Sequence, residues 1–297
     1  MSYLYLTFSI MVNVASGIFA GYFARKTADK KDASALGGFI ELASVFALWG
    51  IMYGLDPSFD ARVLPYSLLF AFFFALGMLG RIFAFKYGSF IIASLAIQVS
   101  SVVACIWDIV VHDDPFNLRI CIGLIFVLAS LALCLLNGKK EEKKTDKKTD
   151  KKNFIKWALC TLAACTGNIG AIISQREQQL SFNGQHKSML MFFATMIAAF
   201  IGLGLYLASD KRDTKAILKT AVPFPVMSGA CNVSSNFISM VLVMSLPLLP
   251  TSFIYPTRSV ASLIITSVFS AVAFKEKLRW WQWIGVVIGI LAVGLLS

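Results

Sequence analysis

The stretch Lys139-Lys140-Glu141-Glu142-Lys143-Lys144, continuing to Lys151-Lys152, divides the chain into two apolar halves of similar length. It is charged, low in complexity and lacks an apolar stripe to bury, which predicts a flexible, solvated tether. Its lysines would also be drawn to anionic lipid headgroups. On each side lie apolar segments of the ~20 residues that a membrane-crossing helix needs. Ten spans are predicted. Before the lysine stretch come Tyr3–Ala24, Ser34–Met52, Leu64–Phe85, Ser89–Val111 and Leu118–Leu136; after it come Phe154–Ser174, Ser188–Ala208, Ala221–Leu246, Thr251–Phe274 and Trp280–Leu296. The chain thus divides into a first five-helix unit at 1–137, a charged linker at 138–153 and a second five-helix unit at 154–297.

Composition agrees with a lipid solvent. Hydrophobic residues make up 58% of the chain and charged residues 14%, where a soluble domain carries roughly a quarter. Mean hydropathy is +0.74. Helices in lipid must satisfy their own backbone hydrogen bonds, so the expected class is an all-α integral membrane protein. The net charge of +11 does not point to nucleic acid, because the basic residues crowd into loops without interleaved exposed aromatics. The six cysteines, Cys105, Cys121, Cys134, Cys160, Cys165 and Cys231, lie inside apolar segments with no CxxC pair, and read as buried thiols. His112 and His186 fall in loops. No metal or cofactor site is expected. The N-terminus has neither a basic leader nor a small-residue cleavage site, so its apolar stretch reads as a retained span.

The two halves echo each other. Thr251-Ser252-Phe253-Ile254-Tyr255-Pro256 in the second stands where the first has Ala93-Ser94-Leu95-Ala96-Ile97-Gln98. Asp114 precedes the glycine of Ile122-Gly123 by nine residues, and Glu276 precedes that of Ile284-Gly285 by nine. These two pairings differ by four residues in register. Tight hairpins, Lys86-Tyr87-Gly88 and Pro247-Leu248-Leu249-Pro250, follow the third span of each half. An odd number of spans per half places the second upside down, giving ten transmembrane helices as two inverted five-helix repeats, the pattern of alternating-access carriers. The odd-numbered loops with adjoining span ends hold 21 lysines and arginines against 4 for the even ones, which puts the linker in the cytosol and both termini outside.

Polar side chains inside spans mark the faces turned from lipid. Such stripes run along the fourth span (Ser94, Gln98, Ser101, Cys105, Asp108), the eighth (Ser228, Asn232, Ser235, Asn236, Ser239) and the ninth (Thr251, Tyr255, Arg258, Ser259, Ser262, Thr266). Shorter ones mark the first (Ser9, Asn13, Ser16) and the sixth (Thr161, Asn168, Gln175). Spans five and ten lack them and are expected outside the bundle. Asn13, Gln98, Asn168, Asn232, Asn236, Tyr255 and Arg258 all fall near mid-span, where a carrier places its substrate. Arg258 sits two residues after Pro256, whose missing N–H frees a carbonyl one turn back. It would either clamp a substrate carboxylate or phosphate or form a structural ion pair with Glu41. Glu41 and Arg81 lie at similar depth, so a buried pair between them is the other reading. A titrating Glu41 would couple transport to protons. Asp108, beside Trp107, reads as interfacial. The pairs Gly17/Gly21 and Gly285/Gly289 permit close helix contact; the second would serve a homodimer seam, face lipid or pack within the subunit. A membrane enzyme is not expected, since no span carries a histidine, a carboxylate pair or a nucleophile–base pair.

The closing pattern Phe274-Lys275-Glu276-Lys277-Leu278, then Trp281-Gln282-Trp283-Ile284-Gly285 and a glycine-rich last span, resembles the drug/metabolite transporter superfamily, specifically its ten-span EamA-like branch. Pro256 matches the proline usual in the ninth span of that family. The first half departs from the pattern, with Gln98 in place of the proline and His112-Asp113-Asp114 in place of the Lys-Glu block. The resemblance implies a basket of helices around a central pathway, with spans five and ten peripheral. It implies a secondary carrier for amino acids, nucleotide sugars, quaternary amines or other small metabolites. The length is that expected of a bacterial cytoplasmic-membrane protein, and with no ATP-binding motif the energy would come from a proton or sodium gradient or from the substrate's own. The substrate would be a small polar metabolite, amino acids first. A flippase for a lipid-linked headgroup and an exporter of cationic or drug-like compounds are the rivals.

Overall fold

The computed structural model describes residues 2–27, 29–30, 33–88, 90–112, 118–135, 147–209, 214–244, 254, 257–258, 260–262, 264–266, 268–269 and 280–296. The described residues form helices and short connections. The helices are α1 (Ser2–Lys26), α2 (Ala33–Leu55), α3 (Leu64–Tyr87), α4 (Phe90–Val111), α5 (Leu118–Leu135), α6 (Lys147–Ser181), α7 (Lys187–Leu207), α8 (Thr214–Thr220), α9 (Pro223–Met244) and α10 (Trp280–Leu296). The described residues between 254 and 269 are helical as well. Among the described residues, five helices are long and apolar enough to cross a membrane: Tyr3–Lys26, Ala33–Leu55, Ala61–Tyr87, Asn153–Ser181 and Lys187–Leu207.

Local chemistry sets the ends. Asp60 accepts from the Arg62 backbone N–H and caps the 3-10 turn Ala61–Val63. Arg62 also bonds the carboxylate through its guanidinium, and these bonds hold the Asp60 carboxyl down at about 2. Pro65 sits in the first turn of α3, where no intrahelical N–H is lost. The turn after α6 needs left-handed backbone at Asn183, Gly184 and His186. Gly184 takes it at no steric cost and returns its N–H to the Gln179 carbonyl. His186 is braced by Ser58 at 2.9 Å.

Two expectations change here. The lysine linker was expected as a tether through residue 153, but from Lys147 onward it is helical and continuous with α6. Lysine is a good helix former, and an existing helix extends without a new nucleus. At ~1.5 Å per residue the 35-residue α6 exceeds a ~30 Å hydrocarbon layer, so its lysine-bearing turns reach beyond it. The loop before the eighth predicted span contains α8, which docks by burying Ile217 against Phe23, Ala33 and Leu36.

Packing runs through helix pairs: α3 with α6, α1 with α9, α2 with α7, and α5 with α10. α5 and α10 lie to one side, joined by Ser130 Oγ donating to the Gly285 carbonyl at 2.6 Å. Gly285 is therefore used inside the subunit. Lipid tails are as apolar as the helices, so close packing replaces hydrophobic drive in holding such pairs. The closest approach is α3 on α6. A Cβ at Gly167 would collide with the Gly77 backbone, and one at Gly80 would come within 2.7 Å of the Ala164 nitrogen. Gly170 faces the Phe73 ring in the same way.

Overpacking a close contact costs about 1–3 kcal/mol. Gly167→Ala is expected to lower the thermal unfolding midpoint of the detergent-purified protein. Gly17→Ala, where a Cβ would meet nothing within 4 Å, is expected to leave the midpoint in place.

Candidate functional site

A cavity of about 150 Å³ lies between α1, α3, α4, α6, α9 and the 254–269 segment. One water needs ~10–15 Å³, so the space suits several waters or a small metabolite. Polar groups converge on it from every wall. α1 supplies Asn13, α6 supplies Asn168, Gln175, Arg176 and Gln179, and α9 supplies Asn232, Ser235, Asn236 and Ser239. α3 adds Arg81 between Phe74 and Phe85, and the 254–269 segment adds Arg258 and Thr266. Three arginines thus line the cavity, and none of its described lining residues is Asp or Glu.

Arg258 is fixed by neutral oxygens. Its guanidinium donates to Ser239 and Ser235 at 2.6 Å each and to Asn13 at 3.1 Å. The serines stand four residues apart on one face of α9, which sets the guanidinium's plane. Asn13 turns its amide nitrogen the other way, to Ser262 at 3.3 Å. Across the cavity, Asn168 donates to Ser100 at 2.8 Å. Asn236 donates to the Asn232 side chain at 2.7 Å.

Glu41 bonds Arg81, not Arg258. Arg81 Nη2 lies 2.5 Å from Glu41 Oε1, and Ser228 donates to the same oxygen. The Glu41 side chain is 1% exposed and that of Arg81 13%, so the acid stands behind the arginine as seen from the cavity. Arg81 also reaches Ser16 and Ser228 at 3.4 Å, and Ser16 meets Ser228 at 3.1 Å. Four helices, α1, α2, α3 and α9, are tied together at this point. The pair is single-pronged: Glu41 Oε2 and Arg81 Nε find no hydrogen-bond partner among the described residues.

Of the mid-span residues read from the sequence, Asn13, Asn168, Asn232, Asn236 and Arg258 come together on the cavity. The Gln98 side chain, Tyr255, Pro256 and the side chain of Asp108 lie outside the described residues. Sequence reading missed Arg176. It was assigned to a loop, yet α6 carries it inside the bundle at 4% exposure. Asn168, Ile172, Gln175 and Gln179 repeat at helical spacing around it, which was the available signal. Beside it, Glu177 accepts from Trp107 at 2.9 Å and meets His112 at 2.8 Å, joining α6 to the end of α4.

Neither a protein-family model nor a curated protein sequence matches the chain. Solved structures share its fold. One, described only as a crystal structure of a protein, superposes with a TM-score of 0.62 over 97% of this chain and 96% of its own, at 10% identity. At that identity the likeness concerns fold alone.

Removing one partner of a buried ion pair strands the other, at about 3–5 kcal/mol. Arg81→Ala is expected to lower the thermal midpoint strongly, and the double change Glu41→Gln with Arg81→Ala to recover most of the loss. Equal destabilisation in both proteins would mean that the loss does not come from a stranded Glu41 carboxylate.

Proposed function

We propose that the chain is a multi-pass secondary transporter that moves a small polar organic solute by alternating access, and that the solute carries a carboxylate or phosphate. The observation that carries this reading is Arg258, oriented by Asn13, Ser235 and Ser239 on a cavity lined by three arginines and several amides. A charge held at the centre of a bilayer costs ~2.5–3.5 kcal/mol on insertion scales, which argues for a purpose beyond packing. Amino acids and related acids come first among solutes of this kind.

The reading includes ten spans in two inverted halves, with the lysine linker cytosolic and the termini external. Helix pairing supports it. The pair α1 with α9 has a counterpart in α6 with α3, while α2 with α7 and α5 with α10 pair with themselves under such an exchange. Two polar bonds add a register. Asn13 of the first half to Ser262 of the second corresponds to Asn168 of the second half to Ser100 of the first. Ser100 and Ser262 are 162 positions apart, the same separation as Asp114 and Glu276. That favours this alignment of the fourth and ninth spans over the one matching Ala93 with Thr251. The distant likeness to the drug/metabolite transporters belongs to this proposal.

With this orientation the arginines stand at three depths. Arg176 is five residues from the outer end of α6, or ~8 Å, and Arg81 is six from the inner end of α3, or ~9 Å. Arg258 lies between. Such a series suits an anion moving through the bundle.

Liposomes holding the purified protein would be screened for uptake of labelled amino acids and organic acids, wild type beside Arg258→Ala. Uptake of an acid that falls at least about 100-fold in the mutant, the loss of a charge-assisted bidentate contact, is the expected outcome. Uptake of neutral or cationic solutes alone, unchanged by the mutation, would overturn the anion reading.

A further inference from the structure

We infer that Glu41 is a built-in stand-in for the anionic solute: it occupies Arg81 in the empty cavity, yields it to an arriving anion, and takes up a proton as it does so. The inference rests on the anion-carrier reading above and adds the residue that joins solute binding to proton uptake.

The geometry is that of a pair made to part. A strong arginine–carboxylate pair uses two parallel bonds, whereas here one nitrogen meets one oxygen at 2.5 Å. Arg81 Nε and Glu41 Oε2 are both left over. The arginine lines the cavity and the acid does not, so an anion in the cavity meets Arg81 without displacing Glu41 first. The guanidinium then has two carboxylates to choose between. If it turns to the solute, Glu41 is left among Ser228, Ser16 and helix backbone at 1% exposure. A carboxylate without a cation in such a place is held neutral instead. One proton adds to its carboxylate oxygen to give the acid, with no other bond made or broken, and Ser228 remains beside it as hydrogen-bond partner. A monoanion bound with one proton leaves the net charge of the site unchanged, which avoids the cost of carrying a charge through low dielectric.

Among the described residues, the other walls around Glu41 bring no competing charge. α7 packs Gly202 on Leu42 and Phe39, and α9 packs Gly229 on Ser44 and the Glu41 carbonyl. α1 faces it with Ser16. On α8, which also touches α2, Lys215 and Lys219 are exposed. Arg81 is the charged side chain whose field acts on Glu41.

Methanesulfonate serves as probe, since it is a small monoanion that stays ionised throughout the range. Its affinity for the purified full chain in detergent would be measured by calorimetry between about pH 6 and 8. Uptake of one proton on binding makes wild-type affinity rise by up to tenfold per unit fall in pH. Glu41→Gln, which keeps the shape and removes the competitor, is expected to bind about tenfold tighter with no pH dependence. A pH-independent wild type, or Glu41→Gln binding no more tightly than wild type, would overturn the exchange; if Arg258→Ala then still abolishes binding, the anion cavity stands without it. Absence of binding to all three proteins overturns the exchange and the anion reading together. Thermal melts of each variant identify a folding failure, and in that event Glu41→Asp, which shortens the competitor and keeps its charge, must retain the pH dependence for the inference to hold.

Discussion

The contact of α3 with α6 at Gly77 and Gly167 governs where everything else in the bundle can stand. With no side chain on either residue the two backbones approach closely, and a Cβ at Gly167 would collide with Gly77. That fixes which face of α6 looks inward. Asn168, adjacent to Gly167, reaches Ser100 on α4, and Gln175, Arg176 and Gln179 follow along the cavity wall. On α3 the same contact leaves Phe70, Phe74, Met78 and Arg81 on the inner surface. The wall is thus set by the smallest residues and furnished by the largest. Packing of this kind suits a membrane interior, where burial of apolar surface gives no preference for helix over lipid.

Within that frame the charges are handled in two ways. Arg81 is matched by a carboxylate, and the match draws four helices together. Arg258 donates to serine and asparagine oxygens, which set the direction of its guanidinium. The first arrangement ties helices together and the second aims a guanidinium at the cavity. A cavity lined by arginines and amides, with no acidic lining among the described residues, is chemically one-sided. A lipid-linked headgroup bearing phosphate shares the chemistry of a free acid, and an uptake assay separates the two.

Much of this was legible in the chain because lipid imposes simple rules. Runs of ~20 apolar residues marked α1, α2, α3 and α7 to within a few residues. Asn13, Asn168, Asn232, Asn236 and Arg258 of the mid-span set line the cavity, as polar side chains with lipid around the bundle must turn inward. Glu41 and Arg81 were paired by depth alone. Arg176 escaped because hydropathy treats a polar face turned to an internal cavity like a polar loop, so the sixth span was ended at Ser174 while the helix runs on to Ser181. The α3–α6 crossing escaped for another reason. Gly77/Gly80 and Gly167/Gly170 repeat at the same spacing in two helices, but a glycine in isolation does not name its partner. The two glycine pairs that were singled out do different things: Gly21 admits the Phe90 ring, Gly17 faces open space, and Gly285 receives Ser130.

On the two-half reading, scaffold and charge obey different symmetries, and the difference bears on how such a carrier would work. The bonds Asn13–Ser262 and Asn168–Ser100 are counterparts, so the first helix of each half holds the fourth span of the other in the same way. Under the register those bonds define, Arg258 stands opposite Ala96. The scaffold is duplicated but the central cation is single. A duplicated scaffold has two equivalent ways to pack its halves, one open to each side, which is what alternating access needs. A single central cation gives both states the same recognition site, reached from opposite directions.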